Sequence, residues 1–274
     1  MFFSLNNLFA AIIMLVTFFS PTIGLCGFLA VLLINLSAYI MGFNRDEIKT
    51  GLFGFNALFL GLSLGYEYTF NVTFIVLFIT SIHILLLITV WLKGLFAAHN
   101  LPFLSFPFIL SYWIVSSATS HFSNIQLDES HIYTINEVAK NQSSLWYQFI
   151  HSLDNISLFP FAISFFKTLS GTFFQTSILG GMLIALGLLY SSRIAFSLSV
   201  IGFYLAYLFY SIFGADVNDL NYNLLGSNFI FIAIAIGCFF LIPNIYSYVT
   251  VVILVPILLL VLLSLGKVLS VFQL

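Results

Sequence analysis

The 274-residue chain predicts an all-α, polytopic membrane fold built from two homologous repeats, on three observations. First, 61% of residues are hydrophobic and 6% charged, and the mean hydropathy is +1.14. A soluble domain carries about 25% charged residues. Seven Lys and Arg with nine Asp and Glu cannot give a globule a solvated surface. Soluble enzymes, nucleic-acid binders and disordered chains are thereby excluded. Second, the apolar runs reach the roughly 20 residues a helix needs to cross a bilayer, and they lack the period-two alternation of a β-barrel. Third, a stretch of the first half recurs in the second.

The runs read in order as spans at 8–20, 22–43, 69–92, 102–118, 156–168 with 172–190, 194–213 and 248–272. Two stretches, 51–65 and 223–241, are shorter or Gly-rich. The linkers carry most of the charge: Arg45, Asp46, Glu47 and Lys49, then Lys93, Arg193, Asp216 and Asp219. They are too sparse in Lys and Arg to orient the chain by the positive-inside rule. The one long polar segment, 119–145, holds Asp128, Glu129, Glu137 and Lys140. It divides a first membrane repeat, 1–118, from a second, 146–274. Residues 144–155 read as an interfacial helix with Trp146 and Tyr147 at headgroup depth. Cys26 and Cys238 sit in apolar runs and read as packing residues, not a disulfide. The N-terminus lacks the basic region of a cleavable signal peptide. Thirty-four Phe and 13 Tyr suffice to line a path as well as to pack.

A shift of 172 lays residues 51–65 on 223–237, with identities at Leu52/Leu224, Gly54/Gly226, Asn56/Asn228, Phe59/Phe231 and Gly65/Gly237. A shift of 171 lays Phe2 and Phe3 on Phe173 and Phe174. An odd number of spans per half makes such repeats inverted, with a solute site near the midplane at broken helices. Gly lets backbone approach or turn there. Asn56 and Asn228 need partners, because an unsatisfied amide in hydrocarbon costs several kcal/mol. They either cap broken helices internally or face the path.

The run from Gly51 to Gly61, GLFGFNALFLG, resembles the urea transporter signature G-L-x-G-[FY]-N-x-x-L-x-G. LPFLSFPF from Leu101 to Phe108 is similar to that family's L-P-x-x-T-x-P-F, and SATSHF from Ser117 to Phe122 to its S-A-T-x-H-[FY]. A weaker likeness runs end to end and includes Ser20-Pro21 where the family has Asn-Pro. The resemblance implies two inverted halves, each with a re-entrant half-helix, one pore per protomer and a homotrimer. It also implies passive, channel-like transport of urea or a similar small neutral amide, with no cofactor and no enzyme activity, in a bacterial inner (plasma) membrane. Urea is flat and neutral and offers donors along its edges. Aromatic walls admit it, oxygen acceptors replace its water, and binding stays weak enough for release.

Carried over residue by residue, the resemblance puts Phe2, Phe55 and Phe59 at the first slot, with Phe59 in place of a usual Leu. Phe173 and Phe231 fall at the second slot, where Ser227 stands in place of an aromatic. Ser105 replaces the Thr whose hydroxyl sits mid-pore, and Ser keeps an oxygen acceptor there. Ser170 falls where the second half-helix carries a Gln. Asn56 and Asn228 belong to the matched signatures. The family's Gln on the first half-helix falls before Met1, and a second L-P-x-x-T-x-P-F is expected from about residue 273, so the sequence reads as short at both ends.

His83 lies in a span and reads as a hydrogen-bonded contact between helices, with a proton relay or metal site as the sharper alternative. His99, His121, His131 and His151 make no metal motif. Glu67 reads as a membrane-surface residue or an acceptor in a vestibule, as do Asp216 and Asp219, and Lys167 as snorkelling to the interface. No Gly-rich phosphate loop, nucleophile elbow or paired carboxylate stands out as an enzyme site. Two other functions compete. One is a non-transporting membrane anchor or regulatory module of this fold. The other is a flavin-carrying redox subunit, for which Ser117-Ala-Thr119 lacks the Gly of S-G-A-T.

Overall fold

The computed structural model describes residues 7–99, 101–128, 159–175, 177–216, 220 and 225–271. Its elements are helices: α1 (Asn7–Thr17), α2 (Pro21–Ile40), α3 (Arg45–Lys49), α4 (Gly54–Glu67), α5 (Val72–Ala97) and α6 (Phe106–Thr119). Then come α7 (Pro160–Gly171), α8 (Ile178–Ser191), α9 (Arg193–Ile212), α10 (Leu225–Ile234) with a π-helical continuation Ala235–Phe240, and α11 (Ile245–Val271). Among the described residues, α2, α5, α9 and the Ile245–Val268 part of α11 are long and apolar enough to cross a membrane.

Local chemistry sets the ends. Pro21 and Pro160 lie in first turns, where a missing N–H costs nothing. Asn71 Oδ1 caps α5 by accepting from Phe74 N at 2.6 Å. Ser177 and Ser192 cap α8 and α9 in the same way. The 102–118 run is not one helix. Residues 101–105 are non-helical, Leu104 takes a left-handed φ of 45°, and α6 begins only at Phe106. Pro107 is tolerated in its first turn and nowhere deeper. The expected helix over 144–155 lies outside the described residues.

The chain folds as two compact units. The first holds α2 to α6. Its centre is α4, buried at Gly54, Asn56, Ala57 and Phe59 through Gly65, as befits a helix that is apolar almost all round. α5 instead turns Val72, Ile75, Val76, Leu87 and Trp91 outward, a surface suited to lipid. His83 Nδ1 donates to Ile79 O at 2.8 Å, which leaves Nε2 to accept from Ser37 Oγ at 3.4 Å and join α5 to α2. Lys93 pairs with Glu47 of α3. The start of the polar segment is a strap: Leu127 forms an antiparallel bridge with Tyr68, and Asp128 N donates to Glu67 O at 2.7 Å.

The second unit holds α1 and α7 to α11. Phe9 of α1, 1% exposed, lies where Gly187 of α8 makes room for it: a Cβ there would stand 2.7 Å from its ring. The 172-residue shift carries Pro21–Ile40 onto Arg193–Ile212, and α4 and α5 onto α10 with its π continuation and α11. α1 and α8 are equivalents under the same shift. Spatial units and sequence repeats are thus different divisions, since α1 opens the first repeat and packs in the second unit.

Candidate functional site

In the first unit the site begins at the 101–105 turn. Leu104 in the left-handed region sends its carbonyl toward α4, where Asn56 Nδ2 donates to it at 3.1 Å. The other end of the same amide, Asn56 Oδ1, accepts from Phe108 N at 3.3 Å. Asn56 is 1% exposed, so both contacts answer the cost of burying a carboxamide. The amide is an internal cap, the first of the two roles open to it in the sequence.

Ser105 is the N-cap residue of α6, is half-buried, and makes no side-chain capping bond. Aromatic rings line the α4–α6 seam. Phe55 and Phe59 meet edge to face at 5.0 Å and 79°. Phe59 lies 5.6 Å from Phe108, and Phe108 6.1 Å from Tyr112. Tyr112 Oη donates to Glu67 Oε2 at 2.8 Å. The row therefore ends on the Glu67 carboxyl group. Beside it Tyr68 Oη and Thr119 Oγ1 share a bond of 2.8 Å. Phe108 and Tyr112 were not singled out in the sequence. The signal available was their i, i+4 spacing after Pro107.

In the second unit α7 ends in a tight turn. Phe173 N and Gln175 N both donate to Ser170 O, at 2.9 and 3.2 Å, and Phe174 takes a φ of 56°. Gln175, 3% exposed, donates from Nε2 to Phe173 O and to Thr17 O, each at 3.3 Å. Here too a buried carboxamide holds a turn with a left-handed non-glycine residue. Gln175 was missed in the sequence, although its signal matched that of Asn56: a lone amide in an apolar stretch. Phe173 is 1% exposed, and Ser170 is fully buried with an unpartnered Oγ. That oxygen faces Gly180 of α8, where a Cβ would stand 2.9 Å away. At Gly181 a Cβ would fall 1.9 Å from Phe166 O, so α7 and α8 can pack this closely only through glycine.

On α10, Ser227 is 7% exposed, while Asn228 and Phe231 are half-buried. Phe2 and Asp219 lie outside the described residues. Lys167 is half-buried and Asp216 exposed. No group of three His, Cys, Asp or Glu is placed to hold a metal among the described residues. The arrangement offers hydroxyl, carbonyl and carboxylate acceptors beside aromatic faces, which is chemistry for passing a neutral hydrogen-bond donor. A search of curated proteins returned no match. The model of one protein family, described as urea transporter, matches residues 1–274, the whole chain. This integral membrane protein therefore belongs to the urea transporter family.

Proposed function

We propose that this chain conducts urea, or a similarly small neutral amide, passively across a bacterial inner membrane, as one protomer of a homotrimer. The observation that carries the reading is the α4–α6 seam, where Ser105 makes no capping bond with its hydroxyl and Phe55, Phe59 and Phe108 form a row of rings. A planar solute stacks on such rings while its N–H groups move between oxygen acceptors. Phe55, Phe59 and Phe2 serve the first slot, and Phe173, Ser227 and Phe231 the second. Ser105 and Ser170 supply hydroxyl oxygens, Asn56 holds the backbone that shapes the path, and Asn228 stands at the matching place on α10. No ion gradient or ionised side chain is needed for a neutral solute moving down its gradient.

The test is urea-driven volume recovery of proteoliposomes by stopped-flow light scattering, with glycerol as the control solute. Fast urea entry with slow glycerol entry is expected. Equal rates for the two solutes, or urea entry at the protein-free rate, overturn the reading and favour the membrane anchor. Ser105→Val then locates the path: urea flux falls while yield and thermal stability stay close to the parent, and an unchanged flux removes Ser105 from the site.

A further inference from the structure

A helix leaves its first N–H groups without intrahelical partners, and a Ser at the N-cap ordinarily uses its side-chain oxygen to satisfy the second or third of them. In α6 every one of these groups is answered otherwise. Phe106 N donates to Phe103 O at 3.0 Å, and Pro107 has no N–H. Phe108 N is taken by Asn56 Oδ1 at 3.3 Å, and Ile109 N donates to Ser105 O at 3.1 Å. The hydroxyl of Ser105 has no donor left to cap. Asn56 also holds the carbonyl before it, that of Leu104, whose φ of 45° costs a branched residue roughly 1–2 kcal/mol.

We propose that Asn56 is a positioning residue that caps α6 in place of Ser105, and so frees the Ser105 hydroxyl to serve the solute. The proposal rests on the reading of Ser105 as an acceptor in a urea path. It assigns Asn56 no contact with urea. Its content is a swap: without the amide, Phe108 N becomes an open donor, Ser105 moves from its present φ of −93° and ψ of 6° to the extended backbone of a capping residue, and the serine oxygen turns to that N–H.

The test is a double-mutant cycle in proteoliposomes. Asn56→Leu and Ser105→Ala should each lower urea permeability about tenfold, the scale of a lost buried hydrogen bond. The double variant should be no slower than the slower single variant, because both changes remove the same free hydroxyl. Additive losses, or parental flux in Asn56→Leu, overturn the proposal. Asn56→Asp retains the acceptor for Phe108 N and should recover flux relative to Asn56→Leu. If it is as slow as Asn56→Leu, the acceptor role is wrong.

A second measurement needs no transport. In a Cys26→Ala, Cys238→Ala background, Ser105→Cys should react readily with a small charged methanethiosulfonate. Adding Asn56→Leu should slow that reaction about tenfold as the thiol turns to Phe108 N. Equal reactivity overturns the proposal. If the parent carries no urea, the transport reading fails, and the thiol rates still decide the role of Asn56.

Discussion

The two halves solve one packing problem with opposite choices of residue. In the first unit α4 brings Gly61 against Ala30 of α2, and a Cβ on Gly61 would lie 2.6 Å from both Ala30 Cβ and Cys26 O. In the second unit the 172-residue equivalents are Ala233 on α10 and Gly202 on α9. A Cβ on Gly202 would lie 2.5 Å from Ala233 Cβ and 2.8 Å from Phe229 O. Glycine and alanine have traded helices while the close approach is kept. The lesson is that the contact needs one Cβ at this crossing and not two, whichever helix supplies it. Small residues at such crossings are what brings membrane helices together, since lipid tails supply no hydrophobic drive.

Polar chemistry does not repeat in this way. Asn56 clasps Leu104 and Phe108, whereas Asn228, its equivalent, makes no side-chain hydrogen bond among the described residues. Glu67 and Tyr68 at the end of α4 bind Tyr112 and Thr119, while their equivalents Phe239 and Phe240 are exposed on a π-helical turn. Among the described residues, packing at this crossing is held in common by the halves, whereas the side-chain bonds of Asn56, Glu67 and Tyr68 have no counterpart at Asn228, Phe239 and Phe240.

The strongest way to break the comparison is at the traded pair. Gly61→Ala should destabilise the protein by about 1–3 kcal/mol through overpacking against backbone. Adding Ala30→Gly should return part of that loss, because it removes the Ala30 Cβ, as in the second half, and leaves Cys26 O in place. Thermal unfolding followed by tryptophan fluorescence reads both, and a double variant no better than the single one would mean the trade is coincidence. Next in size is the asparagine pair. Urea permeability should drop about tenfold in Asn56→Leu and at most about twofold in Asn228→Leu, given two hydrogen bonds against none among the described residues. Equal losses would erase the contrast. Tyr112→Phe leaves Glu67 without its donor and should lower stability by about 1 kcal/mol, visible as a shifted unfolding midpoint; no shift would make that bond idle. Smallest is Ser37→Ala, which removes a 3.4 Å contact with His83 and should cost under about 0.5 kcal/mol.

Much of the architecture was legible in the residues alone. Length and hydropathy of the runs placed α2, α5, α9 and α11 to within a few residues, since only helices and closed barrels satisfy backbone groups in hydrocarbon and the runs lack a barrel's alternation. The 172-residue shift, found from five identities, extends to helices with almost no identity, because the helix lengths are repeated even where the side chains are not. Less legible was the 102–118 run, where composition read as a continuous span and two prolines with a left-handed Leu104 broke it.

Composition, hydropathy and motif order were sufficient for the class of fold, the internal repetition and the family, because each is a property of residue types and their order and needs no knowledge of which residues touch. Three things waited on the tertiary structure. One was that Asn56 spends both ends of its amide on backbone 48 and 52 residues away. Another was that Gln175 reaches Thr17 across 158 residues. The third was that α1 packs in the unit of the other repeat. A buried amide announces in the sequence that it needs partners. Which carbonyl and which N–H it finds is decided only when helices distant in the chain are brought within 3 Å or so of one another.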